Sequence, residues 1–204
     1  MSASLLVLVG DHALRAPRVA TSPLVRLACG LNGRGGAGWV VEDLSSPSGT
    51  REIVRDALSR IAARGPVGGR FERAVMLVSL SVGDLRSGGL HPSSWRANVA
   101  ALVRCSRALG YAVGLLHIVF PEDAGTKDAR RWSKRLGPEV ERLVSEEGLL
   151  GSITVTTTGW TDLLDPGESG VEAVTRAAFA LLDVEPPPDE ARTPEVSVIV
   201  RSRR

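Results

Sequence analysis

The stretch that decides the fold is LLVLVGDHAL, residues 5–14, near the start of the chain. Its first half, Leu5–Val9, is an uninterrupted apolar run, and a Gly-Asp-His turn follows it directly. Uninterrupted apolar runs of this length are typical of strands that are covered on both faces of a sheet. No basic segment precedes the run and no long apolar region extends it, so it predicts a first strand rather than a signal peptide.

Similar runs alternate with longer amphipathic segments along the chain. The predicted strands are Leu5–Val9, Trp39–Val41, Ala74–Leu80, Ala112–Val119 and Ser152–Thr157. The predicted helices start at Ser22-Pro23, at Thr50, at Ser93 or Ser94 after His91-Pro92, at about Lys127 and at about Ser169, and they extend to about Gly30, Ile61, Gly110, Glu147 and Leu182. Pro138 predicts an interruption of the fourth helix. This alternation predicts an α/β fold, a three-layer αβα sandwich with a five-stranded parallel sheet and right-handed crossovers.

The last twenty residues differ in composition from the rest. Residues 1–184 form the predicted α/β domain, and residues 185–204 form a tail. The tail begins with a Pro-rich linker, Glu185–Glu190, and continues into Val196–Val200, a short strand-like run with a basic end. This run is interpreted as an added edge strand, as a contact to a partner such as a second copy in a homodimer, or as a disordered tail.

Composition excludes several classes of function. A length of 204 residues suits one domain with a full core. The formal net charge is only +2 and the basic residues are scattered, which argues against a nucleic-acid partner. No apolar stretch approaches the roughly 20 residues that span a membrane, so no membrane association and a cytoplasmic location are expected. Cys29 and Cys105 fall in predicted helices and are interpreted as buried thiols or incidental residues, not as a disulfide or a metal site.

Small and polar residues follow several of the predicted strands. The loops are GDHAL at residues 10–14, SPSGT at residues 46–50, LSVGDL at residues 80–85 and DLLDPGE at residues 162–168. The carboxyl ends of parallel strands lie at one edge of a sheet, and ligands of such folds bind there. The four loops are therefore predicted to meet at the functional edge of the molecule.

Taken together, the four loops resemble the signature blocks of the SGNH (GDSL-type) hydrolase family, and the resemblance covers about residues 5–182. In that family the first block reads Gly-Asp-Ser with a nucleophilic serine, and the second supplies a glycine whose N–H helps to form the oxyanion hole. The third block reads Gly-x-Asn-Asp, and the last reads Asp-x-x-His. The resemblance implies the sheet order 2-1-3-4-5. Gly49 matches the glycine, and Asp84 and Asp165 match the two acids.

The chain departs from the family at three signature residues. His12 stands at the serine position, Gly83 at the asparagine position and Glu168 at the histidine position. A serine attacks only when a base removes its proton and donors stabilise the oxyanion. Losing the nucleophile and the base removes this mechanism, so we expect a protein that is not a conventional serine esterase or lipase. Four hydroxyls near the loops, Ser45, Ser46, Ser48 and Ser81, are interpreted as turn residues.

Two hypotheses of function follow. In the first, His12 works with Glu168 or Asp165 as an acid–base pair on a small molecule, because a nearby carboxylate raises a histidine pKa and fixes its tautomer. The residues predicted to bind the ligand are Asp11, Gly49, Gly83, Asp84 and Trp160. In the second, the chain is a non-catalytic pseudo-hydrolase that binds a small molecule or a protein partner. The richness in Ala, Arg, Gly and Val favours a bacterial source, and we place the substrate in specialised metabolism.

A metal site is the third hypothesis, since one histidine among carboxylates is an oxygen-rich donor set. No closely spaced ligand motif supports it, so neither a metal nor another cofactor is predicted. Two further residues have structural interpretations. His117, inside an apolar run, is predicted to be buried and hydrogen-bonded, or else to line the pocket. Trp132 is predicted to lie in the core.

Overall fold

The computed structural model describes residues 3–11, 14, 22–32, 38–80, 82–86, 91–119, 127–156, 167–184 and 199–201, the last segment and residue 86 by their backbone alone. The strands are β1 Ser4–Gly10, β2 Trp39–Asp43, β3 Ala74–Ser79, β4 Ala112–Val119, β5 Gly151–Thr156 and β6 Ile199–Arg201. The helices are α1 Pro23–Asn32, α2 Thr50–Arg64, α3 Gly83–Arg86, α4 Pro92–Ala108, α5 Lys127–Glu147 and α6 Gly167–Leu182. The order of strands and long helices is the predicted one.

The strands form one sheet in the order β2-β1-β3-β4-β5-β6. The first five are parallel, which confirms both the predicted fold class and the predicted order 2-1-3-4-5. β6 pairs antiparallel with β5, with Val200 opposite Ile153. The tail therefore adds an edge strand, which agrees with the first of its three interpretations.

Two apolar cores cover the two faces of the sheet. Alternate strand residues, such as Leu5, Val7 and Met76, belong to the core formed with α2, α4 and α5. Their neighbours, such as Leu6 and Leu77, belong to the core formed with α1 and α6. Burial on both faces explains why these strands are apolar at every position.

Several details differ from the sequence-based expectations. The predicted interruption at Pro138 is wrong, because α5 continues through this residue to Glu147. Buried side chains of α5 hold the two halves in line against the sheet, namely Trp132, Leu136, Val140 and Leu143. Cys29 and Cys105 are exposed free thiols, so burial is wrong for both and they are incidental surface residues. The short helix α3 was not predicted.

The helix starts are otherwise close to the predicted ones. The N-cap of α2 is Gly49 and not Thr50, and the N-cap of α4 is His91, with Pro92 at the first helical position. Trp132 lies in the core as predicted, at 8% exposure. Among the residues that the structure describes, no helix is long and apolar enough to cross a membrane.

Candidate functional site

Main-chain hydrogen bonds join the carboxyl ends of the first three strands. The Ser46 N–H donates to the Gly10 carbonyl oxygen at 2.9 Å, and the Asp11 N–H donates to the Ser79 carbonyl oxygen at 3.1 Å. At the end of β3, the indole N–H of the buried Trp95 donates to the Leu80 carbonyl oxygen. Three of the four predicted loops therefore meet at one edge of the sheet.

Asp11 anchors the loop that follows β3. Its side chain is buried at 1% exposure. Its Oδ2 accepts the N–H groups of Val82 at 2.6 Å and of Gly83 at 2.8 Å. These amides begin the short helix α3, where backbone N–H groups need acceptors. Asp11 thus stabilises the third loop from the end of the first strand.

Asp84 makes the corresponding link to the second loop. It is buried at 3% exposure. Its Oδ1 accepts the Thr50 N–H at 3.0 Å, and its Oδ2 accepts the Thr50 hydroxyl at 2.6 Å. Thr50 is the first residue of α2, directly after the N-cap Gly49. The two buried carboxylates together connect all three loops, and Thr50 is a member of the site that sequence reasoning missed.

Gly83 packs against the backbone of the second loop. A Cβ atom at residue 83 would lie 2.6 Å from the Ser48 carbonyl oxygen and 3.3 Å from the Asp11 Cβ. Contacts this short force the backbone to shift. The position that the resemblance assigns to an asparagine therefore has no room for a side chain unless the loop at Ser48 moves.

Of the three predicted acid–base residues, the structure describes Glu168. His12, Asp165 and the predicted ligand contact Trp160 lie outside the described residues. The neighbours of His12 are placed: the Leu14 N–H donates to the Asp11 carbonyl oxygen at 3.2 Å. Glu168 is exposed in the first turn of α6. Because α6 follows β5 in a parallel sheet, Glu168 lies at the same edge as the three joined loops.

The described serine hydroxyls of these loops either contact another residue of the same turn or have no hydrogen-bond partner among the described residues. The Ser46 hydroxyl lies 3.1 Å from that of Ser48, and the Ser45 N–H donates to Asp43 Oδ1 at 2.8 Å. The buried hydroxyls of Ser45 and Ser79 have no hydrogen-bond partner among the described residues. Neither described histidine, His91 or His117, is bonded to any of these oxygens, and Ser81 lies outside the described residues.

His117 on β4 is also buried near this edge. It is 6% exposed, and burial lowers the pKa of its imidazole to about 4. Its predicted burial is confirmed. The predicted hydrogen bond is not found at Nε2, which has no partner in the described part of the chain. Within the same part, no three His, Cys, Asp or Glu side chains are grouped to hold a metal ion.

No protein-family model matches the chain, and no curated protein matches its sequence. Solved structures match its fold. A catalytic mutant of Axe2, an acetylxylan esterase from Geobacillus stearothermophilus, has a TM-score of 0.70 at 15% identity, over 91% of this chain and 97% of that chain. The psychrotrophic esterase EstA from Pseudoalteromonas sp. has 0.63 at 16% identity, over 88% and 96%. TesA has 0.61 at 20% identity, over 87% and 99%. The chain therefore has the α/β fold of SGNH-hydrolase esterases, and identities this low show the fold alone.

Proposed function

We propose that this protein binds a small organic molecule at the carboxyl edge of an SGNH-hydrolase fold and acts on it by acid–base chemistry rather than through a serine nucleophile. His12 is the proposed proton acceptor, and Glu168 or Asp165 orients it. Asp11, Gly49, Gly83, Asp84 and Trp160 form the proposed surroundings of the ligand. The observation that carries this proposal is the set of hydrogen bonds from the buried Asp11 and Asp84, which joins the three loops at this edge of the sheet.

Gly83 argues against ester hydrolysis by the family mechanism, because it has no side-chain donor and the loop at Ser48 leaves no room for one. An asparagine donor at residue 83 would meet the Ser48 carbonyl oxygen at 2.6 Å from its Cβ alone. Removal of one oxyanion donor reduces turnover by roughly 10²–10³. The sequence also places a histidine and not a serine at residue 12. The mechanism would thus lack its nucleophile and one of its donors together.

The loop framework argues for a site that is still in use. Asp11 and Asp84 are buried carboxylates, and burying a charge is unfavourable unless it is fully hydrogen-bonded. Both are bonded to backbone N–H groups of other loops. These bonds hold the ends of β1 and β3 and the start of α2 in one arrangement, as a ligand site requires. A histidine on this framework is a suitable general base, because its ordinary pKa lies near neutral pH.

A non-catalytic ligand-binding protein is the second candidate. The observation that favours it is the engagement of Asp11 and Asp84 with backbone amides and Thr50, since these contacts are structural. The contacts leave the chemistry to His12, Glu168 and Asp165. Bacterial origin, a cytoplasmic location, specialised metabolism as the source of the ligand and a homodimer contact through the tail belong to the same proposal and rest on sequence alone.

The experiment compares two reactions of the purified chain. One is the hydrolysis of p-nitrophenyl acetate, and the other is the ring-opening elimination of 5-nitrobenzisoxazole. In the elimination a base removes the ring C–H proton, the electrons of the C–H bond form the third bond of a nitrile, and the N–O bond breaks to leave a phenolate. We expect ester hydrolysis at the buffer rate. We expect elimination above the buffer rate, and a reduction of about 10²-fold or more in His12→Ala because a general base contributes that much.

His91→Ala is the matched control, because His91 is an exposed histidine at the start of α4 and its side chain bonds only to Ser93 among the described contacts. It should retain the elimination rate. Rapid ester hydrolysis that survives His12→Ala would contradict the proposal and assign a hydroxyl nucleophile elsewhere. Background rates in both reactions, together with saturable binding of small molecules, would favour the second candidate.

A further inference from the structure

The first half of α5 carries a dense cationic surface. Five cationic side chains fall within residues 127–135, against a single carboxylate, Asp128. All five are exposed: Lys127, Arg130, Arg131, Lys134 and Arg135. The side chains that α5 turns toward the core in this half are Ala129, Trp132 and Ser133. We call the five cations the α5 basic face.

Ion pairs in the described part of the chain leave four of these five cations without a carboxylate partner. Among the described residues, Lys127, Arg131, Lys134 and Arg135 form no salt bridge. The second half of the same helix is different. Its Glu139 pairs with Arg96 of α4 at 2.8 Å, and its Glu147 pairs with Arg104 of α4. Glu139 and Glu147 are thus paired with arginines of α4, whereas the four cations named above have no carboxylate partner among the described residues.

The stability of the helix does not explain this cluster of cations either. The N-terminus of a helix carries partial positive charge, so cations in the first turns are unfavourable there. Lys127 and Arg131 are four residues apart, as are Arg131 and Arg135, and like charges at this spacing repel. A charge pattern that opposes both effects is better explained by a partner than by the helix itself.

The basic face lies beside the candidate site. α5 follows β4, so its first turn starts at the carboxyl edge of the sheet. α5 also contacts α3, the short helix that carries Gly83 and Asp84. A partner bound to the basic face would therefore lie next to the three joined loops, whether or not they form a catalytic site.

We infer that the α5 basic face is a docking surface for an acidic protein, presented as a helix with Asp and Glu along one side. The nine residues span about 13 Å along a convex helix, which fits two to three turns of a partner helix. Isolated small anions are held in concave sites lined by converging donors, not on a convex exposed helix. Nucleic acid fits poorly, because a polyanion that extends past the basic face meets the exposed Glu141 and Glu146 of the same helix.

The test uses a fluorescent, hydrocarbon-stapled helical peptide with glutamates at positions 1, 4, 5 and 8. Fluorescence anisotropy measures its binding at about 50 mM salt, where surface charges are weakly screened. A staple isomer with the same composition but glutamates spread around the helix serves as the reference ligand. We expect the ordered peptide to bind more tightly than its isomer. The triple variant Arg131→Gln/Lys134→Gln/Arg135→Gln should weaken binding by about tenfold or more.

The triple variant Arg51→Gln/Arg55→Gln/Arg60→Gln on α2 is the matched control, since it removes the same charge from another exposed helix surface. It should change affinity by less than about threefold, because distant surface charges are screened. Circular dichroism and melting temperature confirm that both variants fold. Equal weakening by the two triples, no binding by the unmodified chain, or tighter binding of a 20-base-pair duplex than of the peptide would each overturn the inference.

Discussion

The buried carboxylates that follow β1 and β3 have hydrogen-bond partners, whereas the buried histidine near the carboxyl end of β4 has a ring nitrogen without one among the described residues. Asp11, directly after β1, and Asp84, in the loop after β3, each accept hydrogen bonds at distances between 2.6 and 3.0 Å. His117, on β4, is buried to a similar degree but has an Nε2 atom without a partner in the described chain. The three groups differ in whether the surrounding backbone provides a partner.

The presence or absence of hydrogen-bond partners decides whether a buried group is charged or neutral. A carboxylate can remain in the interior when backbone N–H groups replace its water. An imidazole without such partners is buried as the neutral form, and burial accordingly lowers the pKa of His117 to about 4. The β1–β3 edge thus holds its two buried carboxylates in fixed contacts, whereas β4 holds a histidine whose protonation lowers the stability of the fold.

The largest expected effect is at Asp11, and it tests the first half of this comparison. Asp11→Ala leaves the Val82 and Gly83 N–H groups without their carboxylate acceptor. Hydrogen bonds to charged groups contribute about 1.5–3 kcal/mol each, so the loss of two should lower the free energy of unfolding by about 3–6 kcal/mol. Urea denaturation measures it. Asp11→Asn, which keeps one oxygen acceptor, should recover part of the loss.

Asp56→Ala is the control for Asp11, because the Asp56 side chain is 64% exposed and contacts only the neighbouring Arg55 among the described salt bridges. We expect a change within about 0.5 kcal/mol for this surface position. A loss below about 1 kcal/mol in Asp11→Ala would mean that the third loop is held by other contacts, and the framework described above would be wrong.

The second prediction concerns His117 and the dependence of stability on pH. Its folded-state pKa is about 4, below the ordinary value of 6.5. The unfolded chain therefore binds a proton first, so stability falls as the pH drops below 6.5 and levels off near 4. The loss from this group should approach about 3 kcal/mol. His117→Leu should remove that part of the pH dependence in urea denaturation between pH 7 and pH 4.

His91→Ala provides the comparison for His117, since His91 is exposed and should leave the pH profile of stability parallel to that of the unmodified chain. An unchanged profile in His117→Leu would show that the imidazole has gained a partner or water in the folded protein, and the contrast between β4 and the β1–β3 edge would disappear.

The sequence predicts the framework of the fold well because burial on both faces leaves a strong pattern. β1, β3 and β4 are continuous apolar runs, and the structure reproduces them within a residue. β2 is less distinct because it lies at the sheet edge, where its residues are half-buried or exposed. Pro138 misled the prediction of α5, since a local propensity was outweighed by buried contacts on both sides of the proline.

The site is predicted in part, for a different physical reason. The loop residues are adjacent in sequence to the strand ends, so their approximate location follows from the topology. Their partners do not, because Asp11 bonds to an amide 71 residues away and Asp84 to a threonine 34 residues away. Nor does the closed space at Gly83 follow from the sequence, as it depends on where the backbone of Ser48 lies.

The smallest expected effect is at Gly83, and it sharpens the description of the β1–β3 edge. Gly83→Ala places a Cβ against the Ser48 carbonyl oxygen, and overpacking of this kind lowers stability by about 1–3 kcal/mol. Gly68→Ala in the exposed turn after α2 is the matched control, because an added Cβ meets open space there and replacing such a glycine stabilises a protein by about 0.4–1 kcal/mol through the unfolded chain. The two substitutions should therefore shift the urea midpoint in opposite directions. If Gly83→Ala is neutral, the loop at Ser48 moves easily, and the close packing at Gly83 does not hold the second and third loops in one arrangement.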